Sequence, residues 1–409
     1  MKIVLVNNTF GNFGGGSEKA TIETGRILQD KGHEVYYFAS DRKPYYEKDY
    51  KYQNFFPKNS KKIFYNIEAK KKLGLLLKKV KPDLIHVHCF QHNLTPSVLI
   101  ACKESGIPIV MTFHDSNFAC PPGTLIKNGK SCTSRDCING SLISCVKYRC
   151  FSNSFSKSLV SASEFFFKKS LGSYEIPEYI ICPSQFILDL AVESGIKREK
   201  LVLISNFINA NDTNNNSHKG YFLYAGRIVK EKGLYCLINA FKDLPHIRLR
   251  IAGKGAYETE LQKFIEQNNI KNIEFIGLKK GIELENEYKN CFATVLSSLC
   301  GEAFGLSILE SFSYGKPVIA SRTGGIPEVI NDYKDGIMVE PGNVEELKNA
   351  ILKLWNNPEL SSNFGKNAKI KFKNLYTAEV YYKKLINVYE WAISPRPEYS
   401  FLETIQQTY

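Results

Sequence analysis

The sequence predicts an α/β protein made of two doubly wound, parallel-sheet domains. Short apolar runs alternate with amphipathic stretches along nearly the whole chain, the pattern of parallel strands covered by helices. A polar, asparagine-rich segment, "NANDTNNNSHKG" at 209–220, splits that pattern into two series of similar size. Such a composition cannot bury apolar area and reads as a linker or long surface loop. At 409 residues the chain also exceeds one ordinary core.

The first series opens on Lys2-Ile3-Val4-Leu5-Val6, a short run suited to a strand buried on both faces. The loop "FGNFGGGSEKA" follows and leads into a helix carrying Ala20, Ile22, Ile27 and Leu28, which stops near Lys31-Gly32 before the strand "HEVYYFAS". The loop fits neither G-x-G-x-x-G nor a P-loop, so it is not a dinucleotide fingerprint. Its glycines permit backbone conformations other residues avoid and let a ligand come close. The strands "PDLIHVHC" and "IPIVMTFHD" flank a helical stretch from Thr95 to Glu104; "PEYIICPSQ" and "EKLVLISNF" flank a helix from Gln185 to Ser194. The second series runs through "YFLYAGRI", "IRLRIAG", "IEFIGL", "ATVLSS", "KPVIASR" and "GIMVE". Closing helices extend from about Val344, and the last, Ala378 to Ile393, carries Val380, Tyr381, Leu385, Ile386 and Tyr389 near one face.

Composition sets the class. Hydrophobic content of 43% and charged content of 23% describe a globular chain. No apolar run approaches the roughly 20 residues needed to span a bilayer, and the N-terminus enters its first strand without a signal-peptide pattern. Eleven cysteines without a secretory signal read as free thiols. The expectation is a cytoplasmic protein. Of the net charge of +13, nine lysines and one acid, Glu68, fall between Lys58 and Lys81, interleaved with Ile63, Phe64, Ile67, Leu73, Leu75, Leu76 and Leu77. This segment is either a solvated helix face or a basic surface for anionic lipid on the inner face of the plasma membrane. No helix-turn-helix, zinc-finger or ribonucleoprotein-type motif stands beside the charge, so nucleic acid is not an expected partner.

The chemistry concentrates in residues 299–329, "LCGEAFGLSILESFSYGKPVIASRTGGIPEV". Here "EAFGLSILE" places Glu302 and Glu310 eight positions apart, and "GRIVKEKG", Gly226 to Gly233, places Arg227 and Lys232 just after the first strand of the second series. The third element is Thr323-Gly324-Gly325 ahead of Ile326-Pro327-Glu328. With these motifs in this order the chain resembles glycosyltransferase family 4, retaining enzymes that use nucleotide sugars.

That resemblance implies the GT-B fold: two Rossmann-like domains facing a cleft, with a C-terminal helix packing back on the N-terminal domain. It implies an acceptor-binding domain over 1–208, joined by 378–409, and a donor-binding domain over 209–377. The physical reading of the residues agrees with it. A sugar nucleotide leaves as a nucleoside diphosphate, so charge must be neutralised as the glycosidic bond breaks; Arg227 offers a bidentate fork and Lys232 a point charge. Gly324 and Gly325, at a helix N-terminus, could hold the same diphosphate through backbone amides. Gly305 opens a helix after Glu302, leaving that acid in the loop.

By resemblance, Glu310 accepts hydrogen bonds from ribose hydroxyls, Glu302 contacts the donor sugar near its anomeric carbon, and His114 reaches the sugar or the reacting centre. The donor set is Gly14, Gly15, Gly16, Gly226, Arg227, Lys232, Phe304, Gly305, Leu306, Glu310, Thr323, Gly324 and Gly325. Catalysis falls to His114, Glu302, Arg227 and Lys232; Glu18, His88 and Asp115 lie on the acceptor side. His86 and His88 alternate to one face of their strand, and with Cys89 and His92 they invite a metal reading; a strand-end place lining the acceptor cleft is preferred for His88.

Five cysteines, Cys120, Cys132, Cys137, Cys145 and Cys150, mark a basic, loop-like insert after His114-Asp115, with no C-x-x-C pair and a place suited to an acceptor-side lid. No metal and no cofactor are expected beyond a UDP- or GDP-sugar co-substrate. The expected function is hexosyl transfer to a glycan or lipid-linked glycan in surface polysaccharide synthesis. A non-catalytic sugar-nucleotide-binding subunit and a GT-B nucleotide-sugar epimerase are the alternatives.

Overall fold

The computed structural model describes residues 1–10, 15–40, 51–54 (backbone only), 64–91, 93–132, 135–138, 140–209 and 218–394. By its internal contacts the chain divides into two compact units. The first comprises Met1–Gly123, Ser134–Asn206 and Ala378–Tyr409; the second comprises Thr124–Thr133 and Phe207–Thr377.

The strands of the first unit are β1 (Lys2–Val6), β2 (Glu34–Ala39), β3 (Lys51–Asn54), β4 (Leu84–Val87) and β5 (Ile109–Thr112). A short antiparallel hairpin, β6 (Ile126–Lys127) and β7 (Lys130–Ser131), groups with the second unit. β8 (Tyr179–Cys182) and β9 (Leu201–Leu203) complete the first sheet. Its order is β3-β2-β1-β4-β5-β8-β9, parallel throughout. Strand order reverses between β1 and β4, and the crevice outside the carboxyl ends at such a switch point is where open α/β sheets bind ligands. The loops after β1, β4 and β5 all begin at that edge.

Side-chain caps set several helix starts. The Asn66 carboxamide accepts from the Ala69 amide at 3.1 Å and opens α2 (Ile67–Val80). That helix follows α1 (Gly16–Asp30) and buries Leu73, Leu76, Leu77 and Val80. After α3 (Ser97–Ser105), the cysteine-bearing insert departs from the sequence reading. The loop-like stretch folds into the β6–β7 hairpin and a helix, α4 (Leu142–Lys147), followed by α5 (Phe155–Ser170). Ser154 and Ser184 cap α5 and α6 (Gln185–Glu193).

The second unit holds β10 (Tyr221–Ala225), β11 (Arg248–Ala252), β12 (Ile273–Gly277), β13 (Ala293–Leu296), β14 (Val318–Ser321) and β15 (Gly336–Val339). The order is β12-β11-β10-β13-β14-β15, again parallel, with its switch point between β10 and β13. Alternate strand residues serve the two faces. Phe222, Tyr224 and Ile319 join a cluster with Leu237, Phe241 and Ile351, which come from α7 (Leu234–Lys242) and a later helix. Val318 and Ala320 pack instead with Ile308, Phe312 and Phe372. The remaining helices are α8 (Glu258–Gln267), α9 (Gly281–Asn290), α10 (Leu306–Ser313), α11 (Ile326–Val329), α12 (Val344–Trp355), α13 (Pro358–Leu375) and α14 (Ala378–Ile393).

As expected, α14 returns to the first unit. Its Tyr389 hydroxyl bonds His86 Nδ1 at 2.7 Å, its Tyr381 hydroxyl bonds Thr24 at 3.3 Å, and its Tyr382 hydroxyl bonds His33 Nε2 at 2.9 Å. Tyr381, Leu385, Val388 and Tyr389 are buried.

Candidate functional site

In the second unit the motif residues gather at the carboxyl ends of β10 and β13. The turn after β10 ends at Gly233, in the left-handed region (φ +68°); a Cβ there would lie 1.9 Å from the Ser297 carbonyl oxygen. Only glycine allows that approach, and it ties the turn to the loop after β13. The Leu299 amide donates to the Glu231 carbonyl at 2.8 Å, and the Ser297 hydroxyl to the Lys232 carbonyl at 3.0 Å.

The result is a compact polar cluster. Lys232 Nζ and the Ser298 hydroxyl both donate to Glu302 Oε1. Burial alone would lower the Lys232 pKa, but the Glu302 charge outweighs it and holds the ammonium above its ordinary value. Burial acts to raise the Glu302 carboxyl; the charge and hydrogen bond of Lys232, with that of Ser298, outweigh it and lower it. Arg227 is exposed beside this pair and makes no ion pair among the described residues. The Arg227 carbonyl, not its guanidinium, is held, accepting from the Tyr224 hydroxyl at 2.8 Å.

As expected, Gly305 (φ +93°) precedes α10, leaving Glu302 in the loop and Glu310 on the helix. Glu310 Oε2 accepts from the buried Tyr288 hydroxyl at 2.6 Å. Burial and the Glu310 charge push the Tyr288 phenol well above its ordinary pKa. Leu306 packs partly against the core.

Four of the expected donor residues do something else. Phe304 is buried in the second unit's core against Tyr376, with ring centroids 5.8 Å apart, so its side chain does not face a ligand. The Gly325 amide donates to the Glu302 carbonyl at 2.8 Å, and α11 spans four residues; that amide is engaged and not free for a diphosphate. Thr323 is buried and its hydroxyl donates to the Cys300 carbonyl at 3.1 Å. Gly324 (φ +58°) lets this loop press on the Glu302 backbone, where a Cβ would lie 2.2 Å from the carbonyl oxygen. The Thr323-Gly324-Gly325 loop is thus a buttress for Glu302.

In the first unit, Gly14 lies outside the described residues, as do His92 and Lys58 to Lys62. Gly15 is extended (φ −73°, ψ 148°), a conformation any residue adopts, so its backbone does not require glycine; Gly16 is the first residue of α1. Glu18 is not offered to an acceptor: it is 8% exposed, binds the Thr9 hydroxyl, and accepts from the Gly15 amide at 3.4 Å at the start of α1. Asp115 accepts from the Asn117 amide at 2.9 Å.

The histidines form a buried array. His86 is bonded on both ring nitrogens, to Tyr389 and to Thr112 at 2.8 Å, and is structural. His88 is 5% exposed rather than lining an open surface. Its Nδ1 lies 2.9 Å from His114 Nε2 and the two rings stack. Burial pushes His86 down to about 3 and His114 to about 4, and drives His88 well below its ordinary value. All three are therefore neutral at pH 7.

Among the described residues no cluster of His, Cys, Asp or Glu has the arrangement of a metal site, and the eleven cysteines are free thiols. The Cys145 thiol is hydrogen-bonded to Cys137, which with burial raises its pKa. Sequence reasoning missed Ser298 and Tyr288. Ser298 lies just past a strand of the second series, a signal that could have found it; Tyr288 comes from another helix and carries no local signal.

Two family models match the chain: Glycosyltransferase Family 4 over residues 14–212 and Glycosyl transferases group 1 over residues 206–371. Together they run from 14 to 371, and the chain belongs to this glycosyltransferase family. An uncharacterized glycosyltransferase of Methanocaldococcus jannaschii is 32% identical over 211 residues, 52% of this chain and 59% of that protein. O-antigen chain mannosyltransferase C of Escherichia coli is 29% identical over 171 residues, 41% of this chain and 46% of that protein. The chain thus spans about half the length of these curated relatives. The crystal structure of Anabaena HepE in complex with UDP and glucose superposes with a TM-score of 0.71 at 16% identity, covering 95% of this chain and 99% of that one. The fold is GT-B.

Proposed function

We propose that the protein is a retaining glycosyltransferase that moves a hexose from a UDP- or GDP-sugar to a hydroxyl of a glycan or lipid-linked glycan. The observation that carries the reading is the Lys232–Glu302–Ser298 cluster beside the exposed Arg227 at the second unit's switch point. As the glycosidic bond breaks, its electron pair goes to the terminal phosphate oxygen. Arg227 and Lys232 neutralise that charge, the kind of prearranged electrostatic help that dominates many enzymes. In this reading the acceptor oxygen attacks from the leaving-group face and its proton passes to the departing phosphate. Glu310, oriented by Tyr288, takes the ribose hydroxyls. His114, neutral, offers a hydrogen bond rather than a charge.

Polysaccharide assembly as the setting is supported by the O-antigen mannosyltransferase among the relatives. A lipid-linked acceptor is supported by α2, which buries one apolar face and leaves Ile67 and Leu75 exposed beside Lys71, Lys78 and Lys79. No helix among the described residues is long and apolar enough to cross a membrane. In this reading the protein is cytoplasmic and rests on the inner membrane face through those lysines.

The test is incubation with UDP- and GDP-sugars and a panel of glycoside acceptors, with product configuration read by NMR. Retained anomeric configuration supports the reading. Inversion sinks the retaining assignment, and binding without turnover for every acceptor favours the non-catalytic subunit.

A further inference from the structure

A cavity of about 360 Å³ lies wholly within the first unit, between one face of α5 and the loops carrying Gln91, Asn117 and Pro121-Pro122. On its wall stand Lys168 and Glu164, whose side chains are 3% and 11% exposed and whose charged atoms are 3.6 Å apart. At that separation they make an ion pair without a hydrogen bond. No hydrogen bond joins either side chain to another described group. An ammonium carries three donors and a carboxylate about four acceptor positions. Burying both with so little satisfied is costly unless something else completes them. Most buried charges in proteins are fully partnered; these two are partnered on one side and open to a cavity on the other.

We infer that this cavity is a carbohydrate subsite that takes one pyranose ring of the acceptor. The inference rests on the glycosyltransferase reading above. A vicinal diol supplies what the pair lacks, one hydroxyl donating to Glu164 while its neighbour accepts from Lys168. Charge-assisted hydrogen bonds of this kind are the stronger ones. Pro121, Pro122, Phe151 and Val160 give the ring's C–H face an apolar floor. The volume falls in the range of small-ligand pockets, at its lower end, which suits one or two rings rather than a long chain.

The cavity's place also fits an acceptor. Gln91 lines it and lines a second, smaller cavity that contains His88, His114 and Tyr174. In that second cavity His88 Nε2 and the Tyr174 hydroxyl are buried without hydrogen-bond partners among the described residues. A ring seated against Lys168 and Glu164 therefore has a polar neighbour leading toward His114. Arg227, Lys232, Glu302 and Glu310, by contrast, belong to the second unit.

The experiment uses the full chain and saturation-transfer NMR with methyl α-glucopyranoside, methyl α-mannopyranoside and methyl α-galactopyranoside as probes. Val160 is 42% exposed, so Val160→Trp fills the cavity without disturbing a core. Lys168→Met and Glu164→Gln remove one member of the pair each. Saturation transfer to at least one glycoside in the wild type, abolished in Val160→Trp and weakened about tenfold or more in the pair variants, supports the subsite. No transfer to any of the three in the wild type, or transfer undiminished in Val160→Trp, overturns it. UDP- and GDP-sugar binding, measured by calorimetry on the wild type, separates the readings. Nucleotide-sugar binding without glycoside binding sinks the subsite alone. Glycoside binding without nucleotide-sugar binding sinks the donor reading and leaves the subsite as a carbohydrate site.

Discussion

Lys232 and Glu302, seventy residues apart in sequence, are hydrogen-bonded partners on two loops of one switch point. Both side chains are mostly buried, at 16% and 14% exposure. Glu302→Gln leaves the ammonium without its counter-charge, which is expected to destabilise the second unit by about 3 kcal/mol. Glu302 has its folded pKa lowered, so its contribution is present above the unfolded value and is lost as pH falls through the folded one. Urea unfolding of wild type and variant at pH 7 and pH 3 checks this: the gap between them should shrink at the lower pH. An equal gap at both would rule the pairing out as a source of stability.

Gly324→Ala and Gly15→Ala separate two kinds of glycine. At Gly324 a Cβ meets the Glu302 backbone and the residue has φ +58°; at Gly15 the nearest atom to a Cβ is Glu18 Cδ at 4.0 Å. Gly324→Ala is expected to cost on the order of 2 kcal/mol or more and to lower turnover by displacing Glu302. Gly15→Ala should leave the melting temperature within about 1–2 °C. If Gly15→Ala nonetheless weakens nucleotide-sugar binding, the space at Gly15 belongs to the ligand. Thermal melts and titration calorimetry of the two variants decide it.

Protonation of His86 opposes the fold. Its folded pKa is about 3 against an ordinary value of 6.5, so the unfolded chain binds more protons between those limits. Stability should therefore fall as pH drops from about 6.5 toward 3, by on the order of 1.4 kcal/mol for each unit of separation. Hydrogen exchange at β4 and β5, followed from pH 7 to pH 4, should show progressive loss of protection after correction for intrinsic rates. Flat protection across that range would mean the histidine array is not what limits acid stability.

Nucleotide sugar at a hundredfold excess over its Kd should raise the melting temperature by roughly 5–10 °C. Glu310→Ala should abolish the shift, and Arg227→Ala should reduce it. Tyr288→Phe should reduce the shift less than Glu310→Ala, because the phenol only orients the carboxylate. A Tyr288→Phe loss as large as that of Glu310→Ala would give the tyrosine a direct contact with ligand.

The strands of both sheets were legible because each is a short, nearly continuous apolar run, and between helical stretches such a run fits little besides a buried parallel strand. β3 was not legible: "KYQN" is polar and sits at a sheet edge, where burial imposes no pattern. The cysteine-bearing insert read as loop because β6 and β7 span two residues each and α4 only six; α5, which follows it, exposes Phe155, Leu159 and Phe166 while burying Glu164 and Lys168, inverting the usual rule. At the site, residue types at a strand end announced Arg227 and Lys232, and the resemblance to the family announced Glu302. What the sequence could not show is which groups satisfy one another. The Gly325 amide, the Glu18 carboxylate and the Phe304 ring all read as ligand-facing, and each turns inward: Gly325 to the Glu302 carbonyl and Phe304 to Tyr376, both distant in sequence, and Glu18 to the nearby Thr9 and Gly15.

The bond between His86 and Tyr389 joins residues 303 positions apart within one unit. During synthesis, β4 leaves the ribosome long before α14 does, and the whole second unit is made in between. The usual order, in which an N-terminal domain finishes folding while the rest is still being translated, is closed to this chain. Its first unit must wait with an uncovered face over β4 and β5 until the last helix emerges. The nascent chain is then exposed to aggregation and to chaperone binding for nearly the full time of translation. Cutting the chain after Thr377 would give a first unit with the same unprotected face, now permanently.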